Sequence, residues 1–204
     1  TTAQIEADWI TENAVRGVPN MPGGPVTPAE DAAGGCDGVK NGRWGFHSAL
    51  EDNPWWQIDL SRVMPLDQIH VYTRCDAVAD RASELIVLLS EDGSHFKQVY
   101  QHDGTAFYGY TDGRPLVVGL DGEKARYVRI QLPVKNHLHL DEVEVYRTGS
   151  DKNVALGKPA LQSSTSEHSN YTFALRPDYP AGQVVARGLK LAESLRRLGA
   201  NVSR

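Results

Sequence analysis

The feature that most constrains this chain is a series of short extended segments between residues 34 and 147, each closed by a turn signal. Trp55-Trp56-Gln57-Ile58-Asp59-Leu60 and Gln68-Ile69-His70-Val71-Tyr72-Thr73 alternate apolar with polar residues, as do Phe96-Lys97-Gln98-Val99-Tyr100 and Ala125-Arg126-Tyr127-Val128-Arg129-Ile130-Gln131-Leu132. A period of two places alternate side chains on one face only if the backbone is extended. Glu84-Leu85-Ile86-Val87-Leu88-Leu89 reads as a buried strand, apolar from Leu85 onward and ended by Glu91-Asp92-Gly93, and Leu116 to Leu120 is bounded by Asp121-Gly122. His139-Leu140-Asp141-Glu142-Val143-Glu144-Val145-Tyr146 closes the series. Strands at this spacing with almost no helix between them predict an all-β, antiparallel β-sandwich.

The flanks differ. Ile5, Trp9 and Ile10 fall at helical spacing, with Glu6 and Asp8 in the early turns. Pro19, Pro22, Pro25 and Pro28 with three glycines then mark an arm rather than an element. Residues 148–180 are rich in Gly, Ser, Thr and Pro, and Val184, Val185, Leu191, Leu195 and Leu198 form an apolar stripe on a helix at 181–198. The expected division is an N-terminal helix and arm over 1–29, the sandwich over 30–148, and an extension over 149–204.

Composition removes several function classes. A net charge of −5 is the wrong sign for nucleic acid, which is bound by clustered Lys and Arg, and argues against an anionic membrane surface. No run of about 18 apolar residues exists to cross a bilayer as a helix. The chain opens at Thr1 without a leader, as a mature protein or a cut fragment does. Cys36 and Cys75 are the two cysteines, and they suit either one bridge or two buried thiols.

Four motifs occur in one order: Pro54-Trp55-Trp56-Gln57-Ile58-Asp59-Leu60, Leu88-Leu89-Ser90-Glu91-Asp92-Gly93, Arg126-Tyr127-Val128-Arg129-Ile130 and Leu138-His139-Leu140-Asp141-Glu142-Val143-Glu144-Val145. Together they resemble the factor V/VIII C-type, or discoidin, domain, a jelly-roll-like β-sandwich used as a binding module. One subgroup is more similar still. The fucolectins, or F-type lectins, carry a histidine, 26 residues, then Arg-x-Asp-x4-Arg; here His47 is followed by Arg74, Asp76 and Arg81 at those spacings. An arginine alone is ordinary surface charge, and only the set carries meaning.

The resemblance implies that His47, Arg74 and Arg81 hold L-fucose. The chemistry is consistent with this. A pyranose offers hydroxyls and a ring oxygen, which need donors fixed in space, and a guanidinium is a rigid fork of donors that keeps its charge. The imidazole is expected to add one directed donor. Asp76 and Asp80 would steady the arginines. The fucose methyl needs an apolar patch, expected from Phe46, Ala77 and Val78, with Trp44 less direct. Ala77 and Val78 stand where fucolectins commonly have adjacent cysteines forming a platform, so the preference is expected to extend to a related sugar or to fucose inside a larger glycan.

Members of the family usually carry a structural calcium. Calcium takes six to eight oxygen ligands. By resemblance these would be the Asp37 and Glu142 carboxylates and main-chain oxygens near Gly34, Val39, Trp44 and Asp141, with Asn41 as a competing side-chain ligand. The ion would fix the loop that carries His47.

Asn153-Val154-Ala155-Leu156-Gly157-Lys158-Pro159-Ala160-Leu161-Gln162-Ser163-Ser164-Thr165 resembles the opening strand of a discoidin domain, yet follows the last strand here. It either begins a second module or folds back to complete the first, and the fold-back is the expectation. The function expected is a non-catalytic module binding a fucosylated glycan or polysaccharide, secreted, with a catalytic domain appended in a larger parent protein. The competing reading is a protein- or phospholipid-binding adhesion module with Phe46, Phe107, Tyr108 and Tyr110 as apolar spikes. No pair of opposed carboxylates, nucleophile motif or phosphate loop argues for catalysis.

Overall fold

The computed structural model describes residues 26–171. The helices expected near residues 1–18 and 181–198 lie outside them. One strand organises the rest. β3, Trp55–Tyr72, is 18 residues long, about three times the usual strand length. Its buried positions run Trp56, Ile58, Leu60, then break, and resume at Leu66, Ile69 and Val71. At the break Ser61 takes φ 74°, and its N–H donates to Asp59 Oδ1 at 2.7 Å. That local bond offsets the cost of the left-handed conformation, about 1 kcal/mol for a residue with a Cβ. The bend lets a single strand serve both layers of the sandwich.

In the first layer the N-terminal half of β3 lies between β7 (Lys124–Gln131) and β11 (Ala160–Gln162), and β7 continues to β4 (Ile86–Ser90) and β5 (Lys97–Gln101). In the second layer the C-terminal half of β3 pairs with β6 (Leu116–Gly119) and β10 (Glu142–Arg147). Two short pairs extend the ends: β1 (Phe46–His47) with β9 (His139–Leu140), and β2 (Glu51–Asp52) with β8 (Lys135–Asn136). Every pairing is antiparallel.

The inward-facing residues of both layers form one core that includes Trp56, Ile58, Ile69, Val87, Ile130, Leu140 and Val143. Phe46 stacks on Trp56 with ring centroids 5.8 Å apart. The Trp56 indole N–H donates to the Ala32 carbonyl at 2.8 Å, which satisfies the polar end of a wholly buried ring. That carbonyl ends α1, Pro28–Ala32, a helix not expected at the junction of the arm and the sandwich. The helix starts because Thr27 and Glu30 form a reciprocal capping box and Pro28 occupies the first turn.

The segment after β10 folds back. Ala160, Leu161 and Gln162 pair with Ile58, Gln57 and Trp56. Asn153 prepares the return, its Oδ1 accepting from Val145 N at 3.1 Å and from Ala155 N at 2.9 Å. The segment then passes over one end of the sandwich to the 3-10 turn Glu167–Tyr171.

Candidate functional site

Four segments meet at the end of the sandwich where β3 stops: the loop after α1, the β3–β4 loop, the β5–β6 loop and the segment after β11. Backbone bonds join the first three. Thr73 N donates to Tyr108 O at 3.0 Å and Cys75 N to Gly42 O at 2.7 Å. Arg74 is therefore fixed two residues past the end of β3, with its neighbours Thr73 and Cys75 held on both sides.

Arg74 is clamped at two points. Its Nε donates to Asp76 Oδ1 at 2.6 Å, and its Nη2 donates to Asp76 Oδ2. The guanidinium lies over the Trp44 ring, 4.3 Å from the centroid. Burial raises the Asp76 pKa, but hydrogen bonding to Arg74 and its charge outweigh this and hold the carboxyl below its ordinary value. The fork is used on one side by Asp76 and presents its remaining N–H groups elsewhere.

Trp44 meets His47 edge-on at 6.1 Å. His47 is 2% exposed and lies on β1. Its backbone N–H donates to Asp31 Oδ2 at 3.0 Å. Its Nδ1 is 2.8 Å from the Ser48 carbonyl. A carbonyl only accepts, so Nδ1 carries the proton and Nε2 carries a lone pair. His47 would thus accept from a hydroxyl, where the sequence reading expects a donor. Burial pushes its pKa down to about 4, and nearby His168, His137 and Arg74 push the same way against the Ser48 hydrogen bond. The ring is neutral at pH 7.

Three more imidazoles surround it. His137, His139 and His168 have ring centroids 5.1, 5.0 and 4.9 Å from that of His47. His137 Nδ1 shares the Ser48 carbonyl at 3.0 Å. Burial, then the charges of His47, Arg74 and Arg81, push His139 far below its ordinary value. Arg81, half-buried in the 3-10 turn Ala79–Ala82, thereby acts on the same imidazole as Arg74.

Ala77 is exposed and Val78 half-buried in the loop beside Asp76. Phe46 is a correction. It is wholly buried against Trp56, so it cannot line an apolar patch for a ligand. Trp44, the less direct candidate, is the aromatic that stands beside the arginine.

The sequence reading misses the wall supplied by the segment after β11. Ser166 Oγ is 3.1 Å from His47 Nδ1, Ser169 Oγ donates to His47 O at 2.9 Å, and Trp44 Nε1 donates to His168 O at 3.4 Å. Ser163 and Ser164 both donate to Glu51 Oε1. The one sequence signal was the density of Ser, Thr and His at 163–169 in a segment expected to fold back.

The loop named for calcium is also held by carboxylates. Glu142 Oε1 accepts from Gly38 N at 2.9 Å, Asp37 Oδ1 from Val39 N at 2.7 Å, and Asp141 Oδ2 from Asn41 N and Gly42 N at 3.0 and 2.9 Å. Asn41 Oδ1 accepts from Arg43 N at 3.0 Å. Asp141 and Glu142 are wholly buried. The Gly34 and Asp141 carbonyl oxygens converge on Gly45, 2.1 and 2.5 Å from where its Cβ would stand. Burial, then the charges of Glu142 and Asp37, push the nearby Cys36 thiol up to about 12. Buried negative charge beside two converging carbonyls is a fitting donor set for a hard cation. No group of three or more His, Cys, Asp and Glu side chains is arranged to hold a metal among the described residues, so main-chain oxygens would supply much of such a shell. Cys36 and Cys75 are separate thiols, not a bridge.

The profile of the F5/8 type C domain matches residues 24–142. Fucolectin-6 of Anguilla japonica is 25% identical over 103 residues, which are 48% of this chain and 52% of its own length. The chain thus spans about half of that curated relative. Among solved structures, a fucose binding module of Streptococcus pneumoniae is 28% identical with a TM-score of 0.50, over 59% of this chain and 88% of that one. The serum f-lectin (fucolectin) of the striped bass Morone saxatilis shares the fold, with a TM-score of 0.51 at 22% identity over 68% of this chain and 50% of its own. With more than half of its length matched and all its strand pairs antiparallel around one core, the chain belongs to the F5/8 type C, or discoidin, family.

Proposed function

We propose that this chain is a non-catalytic carbohydrate-binding module that recognises L-fucose or a related sugar within a glycan. The observation that carries the reading is the Arg74 fork, clamped by Asp76 and laid on Trp44 at 4.3 Å, next to a neutral His47. Fixed charged donors, a fixed acceptor and an indole are what a neutral pyranose with one methyl group requires. Arg81 adds a second guanidinium from the same loop. The relatives named for fucose binding support the choice of sugar.

Calcium would be held by Asp37, Glu142 and the main-chain oxygens of Gly34 and Asp141, with Val39, Trp44 and Asn41 as further candidates. It would neutralise buried carboxylates and stiffen the loop from Asp37 to His47. The setting proposed is extracellular, in a longer protein that also carries a catalytic domain. The phospholipid reading loses two of its four spikes, because Phe46 and Phe107 are buried.

A glycan array probed with and without a chelator tests sugar and ion together. Retention on fucosylated glycans, weakened by chelation, is the expected result. Uniform absence of binding to fucosylated glycans in the presence of calcium would sink the reading.

A further inference from the structure

The two main layers end in four edge strands, and three of these are guarded. β5 carries Lys97 and a register break against β4 between Val87 and Leu88. β10 is covered by the returning chain, where Asn153 bridges to Tyr146 and Val154 N donates to Val145 O at 2.8 Å. β11 has α1 packed on it, with Gln162 Nε2 donating to Asp31 Oδ2 at 2.7 Å. Charges, bulges and covering elements are the means by which a sheet avoids pairing with another chain. β6, Leu116–Gly119, has none of them. It pairs with β3 alone, in unbroken register from Gln68 opposite Gly119 to Val71 opposite Leu116.

One bond tells which backbone groups of β6 face outward. Leu120 N donates to Asp67 O at 2.8 Å. Bonded and non-bonded pairs alternate along an antiparallel ladder. Val118 and Leu116 therefore bond to β3, while Val117 and Gly119 turn N–H and C=O away from it. Neither of those two backbones meets another partner among the described residues. Val117 is also 49% exposed. Beside Gly119 and Leu120 the surface opens into a groove of about 650 Å³ that reaches Lys97 and Val99, so β5 does not close over this edge.

We propose that β6 is the interface of a homodimer, in which the β6 strands of two copies pair antiparallel about Val117 and join their second layers into one sheet. A two-fold axis keeps every side chain on its own face, so each residue meets one of like parity. Centring the axis on Val117 sets Leu116 against Val118 and Pro115 against Gly119 of the other copy. Val117 N–H then donates to Val117 O, and Gly119 N–H to Pro115 O, each in both directions. Pro115 has no N–H, so the pairing ends at these four bonds. The two exposed valines face each other as β-branched cross-strand pairs do. Arg114 falls opposite Leu120, one residue from Asp121 of the other copy. These two side chains are exposed and opposite in charge, and the axis repeats the contact. β6 begins at the end where β3 stops, so antiparallel pairing points the two mouths in opposite directions. The dimer would bridge two glycans rather than grip one twice. That consequence rests on the fucose reading, whereas the pairing does not.

The test is sedimentation equilibrium of the whole chain from about 10 µM to about 1 mM, with amide hydrogen exchange at Val117 and Gly119. Four main-chain bonds imply a weak dimer, with Kd on the order of 0.1 mM. The mass should approach double across that range, and the two amides should slow about fivefold by mass action. Val117→Lys sets two like charges opposite each other. It should stay monomeric throughout and keep its far-UV circular dichroism and its L-fucose affinity. A wild type still monomeric at the highest concentration, or a dimer that Val117→Lys leaves intact, overturns the pairing. Should Val117→Lys fail to fold, the concentration dependence of exchange in the wild type decides alone. Slow exchange at both amides that does not vary with concentration would give the edge to a segment of the same chain outside residues 26–171 and overturn the dimer. A wild type that dimerises but binds no L-fucose would remove the bridging and leave the pairing, because mass and sugar binding are read separately.

Discussion

At the scale of single residues, the account depends on Arg74. Its two bonds to Asp76 spend part of the fork on positioning and leave the rest for a ligand. Arg74→Ala is expected to reduce L-fucose affinity at least tenfold, since a charge-assisted hydrogen bond contributes roughly 1.5–3 kcal/mol. Arg74→Lys should not restore it, because an ammonium cannot pair with Asp76 and a sugar through one plane; calorimetry on both variants decides. The buried imidazoles give a pH prediction. His47 has a folded pKa of about 4 against an ordinary 6.5, and His139 is lowered further by burial. The unfolded chain then binds more protons between those values, so stability is full above about pH 6.5 and is lost as pH falls from there towards 4. Tm measured from pH 7.5 to 4.5 should fall over that window, and a flat profile would contradict buried neutral rings. His47, Arg74, Asp76 and Arg81 were legible in the sequence because their spacing is a local pattern in one matched segment. His168 and Ser166 were not, because they meet His47 only through a chain reversal about 120 residues away, and no periodicity reports such a contact. Phe46 was misread because adjacency in sequence does not tell which side of a two-residue strand faces the core.

At the scale of elements, β3 and β11 decide the architecture. The alternation of β3 was plain in the sequence, but its continuity across both layers was not, since the sequence reading has two separate strands over 55–60 and 68–73. β11 covers an edge of the first layer beside Trp56 and then delivers the wall of the mouth. A chain lacking residues 150–171 should melt at lower temperature and bind L-fucose more weakly, because both the edge pairing and the wall go together. An unchanged Tm would mean that the pairing contributes nothing. Gly45 sits where the Gly34 and Asp141 oxygens converge, at 2.1 and 2.5 Å from its missing Cβ. Gly45→Ala is expected to destabilise by about 3 kcal/mol, the upper range for overpacking, as seen by denaturant unfolding. The sequence marked Gly34 and Asp141 through resemblance, whereas the need for glycine at 45 arises only from the approach of two distant backbones.

At the scale of the whole molecule, one end of a two-layer sandwich collects four segments around a fork of fixed donors. The proposed calcium would join loop to strand, so adding it to chelated protein should raise Tm in a concentration-dependent way, since a ligand bound only by the folded state stabilises by mass action. A Tm unaffected by millimolar calcium would remove the ion from the account. The sandwich was legible because seven alternating or apolar segments with turn residues between them leave few other folds, and the closure of its last edge by residues 153–165 was the expected alternative of two, which the pairing of Ala160–Gln162 with β3 bears out. The central claim is tested most directly by calorimetric titration of L-fucose into this chain and its Arg74→Ala variant at neutral pH. The account predicts saturable binding by the first and at least a tenfold loss in the second. Equal affinity in the two, or no heat of binding in either, would contradict it.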